Sequence, residues 1–322
     1  MPVSAYCRRK VCLVLPDETV EAAAQHMERE GVGLLVVVAD GRPAGVLTDR
    51  DVALQLLEPA ACVADAMSPK PLTVRADAPL GEAMALMSRH GVRRLPVVDA
   101  TGHSLGVIAA DDAVRLLARE IAGLAAVAEA QLPSELQPGA PASPQAHERR
   151  VEHYLRPVVT VPPDADLRTA VEQMRQQTTG CVVVAREGGS ADGILTDRDV
   201  AVRAVARGLD ASRTPVSSVM TAPVVACEAT QPLEEVVEQM RARGVRRMPI
   251  LRAGRLAGIV TYDDLLAAFG GELAALARAA TRQVQRERRR VRMEQTREEV
   301  GRGLAALRRG VGALRSRLHP PS

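Results

Sequence analysis

One octet occurs almost twice in the chain, as Val46-Leu-Thr-Asp-Arg-Asp-Val-Ala53 and as Ile194-Leu-Thr-Asp-Arg-Asp-Val-Ala201. A second pair follows each copy: Gly91-Val-Arg-Arg-Leu-Pro-Val-Val98 and Gly244-Val-Arg-Arg-Met-Pro-Ile-Leu251. The offsets, 194 − 46 = 148 and 244 − 91 = 153, make the chain a long repeat. Whatever one copy folds into, the other must fold into as well.

Each long repeat contains two smaller units, because the same helix pattern appears four times. Val20, Ala23, Ala24 and Met27 stand at i, i+3, i+4 and i+7. So do Leu80, Ala83, Met84 and Met87, then Leu167, Ala170, Val171 and Met174, then Leu233, Val236, Val237 and Met240. That spacing is one apolar face of an α-helix. Asp17, Asp77, Asp164 and Thr230 stand three residues before these faces, as N-caps would. After each helix comes a short apolar strand (Leu34 to Val38, Leu95 to Val98, Cys181 to Val184, Met248 to Leu251), then a turn. A second strand then ends in Gly-x-x-Thr or a close variant, at Gly45 to Thr48, Gly106 to Ala109, Gly193 to Thr196 and Gly258 to Thr261. A second helix opens there. The fold class expected is α/β (α+β), each unit reading strand-helix-strand-strand-helix.

The core this predicts is aliphatic. Apolar residues are 47% of the 322, yet there is no Trp, one Phe (Phe269) and three Tyr. So few rings also argue against single-strand nucleic-acid stacking platforms. The cysteines, Cys7, Cys12, Cys62, Cys181 and Cys227, match no zinc or redox spacing and read as free thiols in a reducing compartment. No signal peptide is visible, and no apolar run approaches the ~18 residues of a membrane span. The expectation is a soluble cytoplasmic protein with no membrane insertion.

Residues 132–144 carry four Pro with Gly, Ser and Ala, a linker composition. Between Glu272 and Leu318 there are 13 Arg and 5 Glu, a local charge of 13 − 5 = +8 against a whole-chain charge of +3. In this tail Val300, Leu304, Leu307, Val311, Leu314 and Leu318 follow heptad spacing, interrupted by glycines. Helical self-association, a protein partner and nucleic-acid association through Arg286 to Arg292 are all compatible with it; so is a solvated helix face.

The unit order and the Gly-hydrophobic-hydrophobic-Thr-x-x-Asp ending resemble the CBS (cystathionine-β-synthase) domain family, over about residues 6–270. The resemblance implies two tandem CBS-domain pairs. The first spans 1–122 (repeats about 6–60 and 65–120). A Pro-rich linker follows at 123–150, then a second pair at 151–270 (repeats about 152–208 and 218–270) and an Arg-rich helical tail at 271–322. It also implies clefts that take AMP, ADP, ATP or S-adenosylmethionine. Carried over by motif position, the ribose carboxylates are Asp51, Asp112, Asp199 and Asp264, and the phosphate hydroxyls are Thr48, Thr196 and Thr261.

The chemistry is suitable. An ionised Asp accepts two hydrogen bonds from ribose hydroxyls, and a helix N-terminus presents N–H groups to an anion. The second repeat departs, with Ala109 where the Thr should be. The second pair, which keeps both Thr, is therefore expected to bind more reliably than the first. Thr-x-x-Asp also resembles a helix capping box, and the two roles are compatible.

In the two Arg pairs, Arg93-Arg94 and Arg246-Arg247, strand alternation sends one side chain of each toward the cleft; Arg94 and Arg247 are the candidates for phosphate. Arg50 and Arg198, inside the motif, are weaker ones. Asp49-x-Asp51 and Asp197-x-Asp199 are compatible with Mg²⁺ accompanying a nucleotide, or with ordinary helix-start charge. No catalytic constellation, metal-ligand spacing or Walker loop is present in the sequence. The expected role is regulatory and non-catalytic, with adenine nucleotide as ligand and a homo-oligomer as the assembly. The alternative is a structural, oligomerising protein whose clefts stay empty.

Overall fold

The computed structural model describes residues 2–8, 11–130, 149–275 and 278. Four sheets each begin with a two-residue strand and a helix, as the repeat pattern requires. The first repeat is β1 (Leu13–Val14), α1 (Val20–Glu30), β2 (Leu34–Ala39), β3 (Arg42–Thr48) and α2 (Asp49–Leu54). After α3 (Val63–Ala66) and β4 (Ser68–Pro69) comes the second repeat. It contains β5 (Val74–Arg75), α4 (Leu80–His90), β6 (Arg94–Val98), β7 (Ser104–Ala109) and α5 (Ala110–Ala130). The third has β8 (Thr160–Val161), α6 (Leu167–Gln176), β9 (Cys181–Ala185), β10 (Ala191–Thr196) and α7 (Asp197–Arg203). The fourth has β11 (Cys227–Glu228), α8 (Leu233–Arg243), β12 (Arg247–Arg252) and β13 (Arg255–Thr261), followed by helix at 262–275.

In every repeat the first strand is parallel to the second, because a helix crosses between them. The second and third strands are neighbours in each sheet, and the first sheet adds β4 as a fourth strand. The hairpin turns Asp40-Gly41 (φ 50° and 74°) and Ala253-Gly254 (φ 51° and 75°) have two successive positive φ angles, as a type I′ turn requires.

Helix faces lie where the spacing placed them for α1 and α6, whose four marked residues are all buried. In α4 Leu80 and Met84 are only partly covered, and in α8 Val237 is 39% exposed. The caps differ from expectation. Thr19 and Asp166 cap α1 and α6 with side-chain bonds, while Pro79 and Pro232 occupy the same place in α4 and α8. Asp17, Asp77, Asp164 and Thr230 stand two residues too early, because the helix begins with the first apolar residue itself. Helix α5 runs on to Ala130, into the segment assigned to the linker, where the sequence is Ala-rich and favours helix. Residues 131–148 and nearly all of the tail, including its heptad, lie outside the described residues.

The chain divides into two compact units, residues 1–260 and 261–322. Inside the first, the repeats do not have private cores. The core around α1 and β2 includes Ala201, Val205 and Ala206 of the third repeat. The core around α6 and β9 includes Ala53, with Leu54, Leu56 and Leu57 of the first repeat against it. Polar bonds follow the same seam: Gln25 Nε2 donates to the Ala206 carbonyl at 3.1 Å, and Arg175 meets Glu58 at 3.1 Å. The two CBS-like pairs are thus interlocked through their first members. None of the five cysteines is in a disulfide, and Cys12, Cys181 and Cys227 are buried.

Candidate functional site

The Thr-x-x-Asp motif sits where β3 turns into α2 and where β10 turns into α7. Each is a complete capping box. Thr48 donates its N–H and its hydroxyl to Asp51 Oδ2 at 2.8 and 2.7 Å, and the Asp51 N–H returns to Thr48 Oγ1 at 3.4 Å. Thr196 and Asp199 repeat this at 2.9, 2.6 and 3.2 Å. In the second unit the Thr261 hydroxyl donates to Asp264 Oδ2 at 2.7 Å. At Ala109 only the backbone half survives, its N–H donating to Asp112 Oδ2 at 3.2 Å. The motif's first job is therefore structural: each Thr hydroxyl already spends its one proton on its own Asp.

The second carboxylate oxygen distinguishes the repeats. Asp199 Oδ1 accepts from Thr221 Oγ1 at 3.1 Å and pairs with Arg203 at 3.0 Å, and the residue is 7% exposed. Asp112 Oδ1 pairs with Arg8 at 3.2 Å. Asp51 Oδ1 has no hydrogen-bond partner among the described residues, and Asp51 is only partly covered. The ordering expected from the sequence thus acquires a counterweight: the site with the fuller motif has the more occupied carboxylate.

Between the first and third repeats the octets exchange charges. Arg50 Nη1 donates to the Thr179 carbonyl at 3.0 Å and lies 3.8 Å from Asp197 Oδ2. Reciprocally, Arg198 Nη1 donates to Asp49 Oδ1 at 3.0 Å and to the Val32 carbonyl, while its Nη2 donates to the Met27 carbonyl at 3.0 Å. Arg94 reaches the same place from β6, donating to the Gly33 carbonyl at 3.3 Å. Arg247 reaches the corresponding place from β12. A Cβ on Gly180 would lie 2.8 Å from Asp197 Oδ2 and 3.1 Å from Arg247 Nη2, so only glycine leaves room there.

Burial raises the Asp197 carboxyl to about 6, against the opposing pull of Arg50 and Arg247. Burial likewise raises Asp49, with Arg198 and Arg94 opposing. A third carboxylate, Asp111, is held by Arg93 at 3.2 Å and by Arg246 at 2.7 Å. Burial pushes Asp111 up, but the two guanidiniums outweigh it and its pKa is lowered.

The structure therefore brings together Arg50, Arg198, Arg94 and Arg247 with Asp49 and Asp197 as their counter-ions. Arg93 and Arg246, the members of each pair not assigned to the cleft, share Asp111. Asp49 and Asp197 are the functional candidates that sequence reasoning passed over, having read them only as helix-start charge or a Mg²⁺ pair. Asp49 holds a guanidinium, an arrangement unlike a cation site. The signal was present in the octet, where an acid and a base stand side by side in two copies. Among the described residues no group of three or more His, Cys, Asp or Glu could hold a metal ion. Among those residues, too, no helix is long and apolar enough to cross a membrane.

Comparison with known proteins identifies this architecture. The CBS domain profile matches residues 3–58, 63–119, 151–205 and 216–271. The chain belongs to the CBS domain family. The CBS domain-containing protein YhcV of Bacillus subtilis is 39% identical over 108 residues, which are 34% of this chain and 76% of YhcV. The uncharacterized protein MJ1225 of Methanocaldococcus jannaschii is 27% identical over 221 residues, 65% of this chain and 71% of MJ1225. The crystal structure of MJ1225 aligns with a TM-score of 0.60 at 18% identity, covering 84% of this chain and all (100%) of that one. The fold is thus shared with a second chain.

Proposed function

We propose that this CBS protein is a non-catalytic regulatory protein that binds an adenine nucleotide (AMP, ADP, ATP or S-adenosylmethionine) and passes its occupancy to a partner. The observation that carries the reading is the first repeat's helix start. There Asp51 keeps one carboxylate oxygen open at the N-terminus of α2, beside a cluster of four guanidiniums. An open carboxylate suits a ribose diol, and guanidiniums with a helix start suit phosphate. The remaining motif positions, Thr48, Asp112, Thr196, Asp199, Thr261 and Asp264, with Arg94 and Arg247, are proposed as ligand contacts once the ligand displaces their present partners.

Calorimetric titration of the full chain with the four ligands tests this. One ligand should bind, and Asp51→Ala should weaken it by about 10- to 150-fold, the cost of losing a hydrogen bond to a charged group. Unchanged affinity in Asp51→Ala would remove the carboxylate from the site. A structural role with empty clefts has its own support in the occupied Asp199 carboxylate and the self-satisfied Thr hydroxyls. It predicts no binding of any of the four.

A further inference from the structure

The guanidiniums best placed for a phosphate already have anions. Arg198 is bonded to Asp49, Arg50 stands against Asp197, and Arg247 flanks Asp197 across Gly180. An incoming polyanion must share these cations with two carboxylates a few ångströms away. Two like charges on one site are relieved when one of them takes a proton.

We propose that a phosphate-bearing ligand at this cluster binds together with a proton on Asp197, so that its affinity rises as pH falls. This rests on the adenine-nucleotide reading above. The surroundings single out Asp197. Facing it are Arg50 from α2, Arg247 from β12, the carboxylates of Asp49 and Asp51 on α2 and the Cys181 thiol on β9, with Arg198 and Asp199 on its own helix. Burial already holds its carboxyl at about 6, so protonation near neutrality costs little, and added negative charge moves it further the same way. Asp49 is raised as well but is pinned by a direct 3.0 Å bond to Arg198, and Asp111 is lowered by its two arginines and stays ionised. The side chains of Arg50, Arg198, Asp49 and Asp197 keep 20–37% of their exposure, so the cluster is open to solvent and to a ligand.

The direction follows from linkage. Where the complex holds a proton that the free protein lacks, affinity drops by up to about tenfold per pH unit above the free carboxyl's value. The full chain is titrated with ATP between pH 6 and 8, in the wild type and in Asp197→Asn. The ratio of wild-type to variant Kd should grow by up to tenfold per unit, which cancels the ligand's own phosphate titration. Adenosine, lacking phosphate, should show a constant ratio. Inorganic sulfate, which does not titrate in this range, gives the same reading on the wild type alone: its affinity should fall as pH rises, even if the variant fails to fold. A constant ATP ratio, or sulfate binding independent of pH, overturns the inference while leaving nucleotide binding intact. Failure of ATP, ADP, AMP and sulfate to bind at any pH removes the inference, and failure of S-adenosylmethionine as well removes the reading it rests on.

Discussion

At the scale of single residues, Asp51 and Asp199 share a motif and differ in consequence. Asp51→Ala should weaken ligand binding, whereas Asp199→Ala should lower stability as well as binding. Asp199→Ala removes the carboxylate that pairs with Arg203 and accepts from the Thr221 hydroxyl, leaving Arg203 its bonds to the Val219 carbonyl and Thr221 Oγ1, and it breaks a cap, together about 1–3 kcal/mol by chemical denaturation. Asp197 carries a pH signature of its own. Its folded pKa, about 6, lies above the unfolded 3.8, so the folded state holds a proton that the unfolded state has released. That contribution to stability is full below about pH 4 and is lost as pH rises to 6. Subtracting the stability profile of Asp197→Asn should isolate it. A difference profile that rises over that window would show that Asp197 is stabilised, not penalised, by its surroundings. Thr178 is a strained point of the backbone. It holds φ 51° at the end of α6, where the other three repeats have Gly31, Gly91 and Gly244. Left-handed backbone costs a β-branched residue about 1–2 kcal/mol, partly offset by glycine's extra unfolded-state entropy. Thr178→Gly should therefore stabilise the protein by about 0.5–1 kcal/mol; a loss of stability would mean that contacts of the Thr side chain outweigh the strain.

At the scale of elements, periodicity was the legible part. The i, i+3, i+4, i+7 spacing located four helices and most of their buried faces, because an amphipathic helix has little choice of which side to bury. Met27 is fully covered, and Met27→Ala should cost about 2–5 kcal/mol, read from the denaturation midpoint. The misses have local causes. Caps were sought among polar residues three positions back, but two helices open after a proline with no side-chain cap at all. Met84 and Val237 carry the right spacing yet stay partly exposed, since periodicity specifies a face but not how much of it the neighbours cover. The charge exchange between α2 and α7 was illegible for a different reason. Each octet looks complete in itself as a capped helix start, and only the packing of the two helices shows Arg50 against Asp197 and Arg198 against Asp49. The second repeat places Asp111 where the first has Arg50, and there Asp111 meets Arg93 and Arg246.

At the scale of the whole molecule, duplication carries an assembly rule. The first repeat meets the third through near-copies of one helix, so their contact is close to symmetric, and each completes the other's core. Cutting the chain into its two pairs would uncover Ala201, Val205 and Ala206 on one side and Ala53 on the other, together with Arg198 and Asp197 stripped of their partners. A second copy of the third repeat can supply what the first repeat supplied, since Asp197-Arg198-Asp199-Val200-Ala201 matches Asp49-Arg50-Asp51-Val52-Ala53 residue for residue. Residues 149–275 produced alone should therefore pair through α7, with Arg198 of each copy meeting the other copy's Asp197. Light scattering should give twice the fragment mass. Arg198→Glu, which sets like charges against each other across that pair, should return it to monomer or unfold it. A wild-type fragment that is monomeric and as stable as the full chain would show that the shared core between the repeats contributes nothing to holding the pairs together.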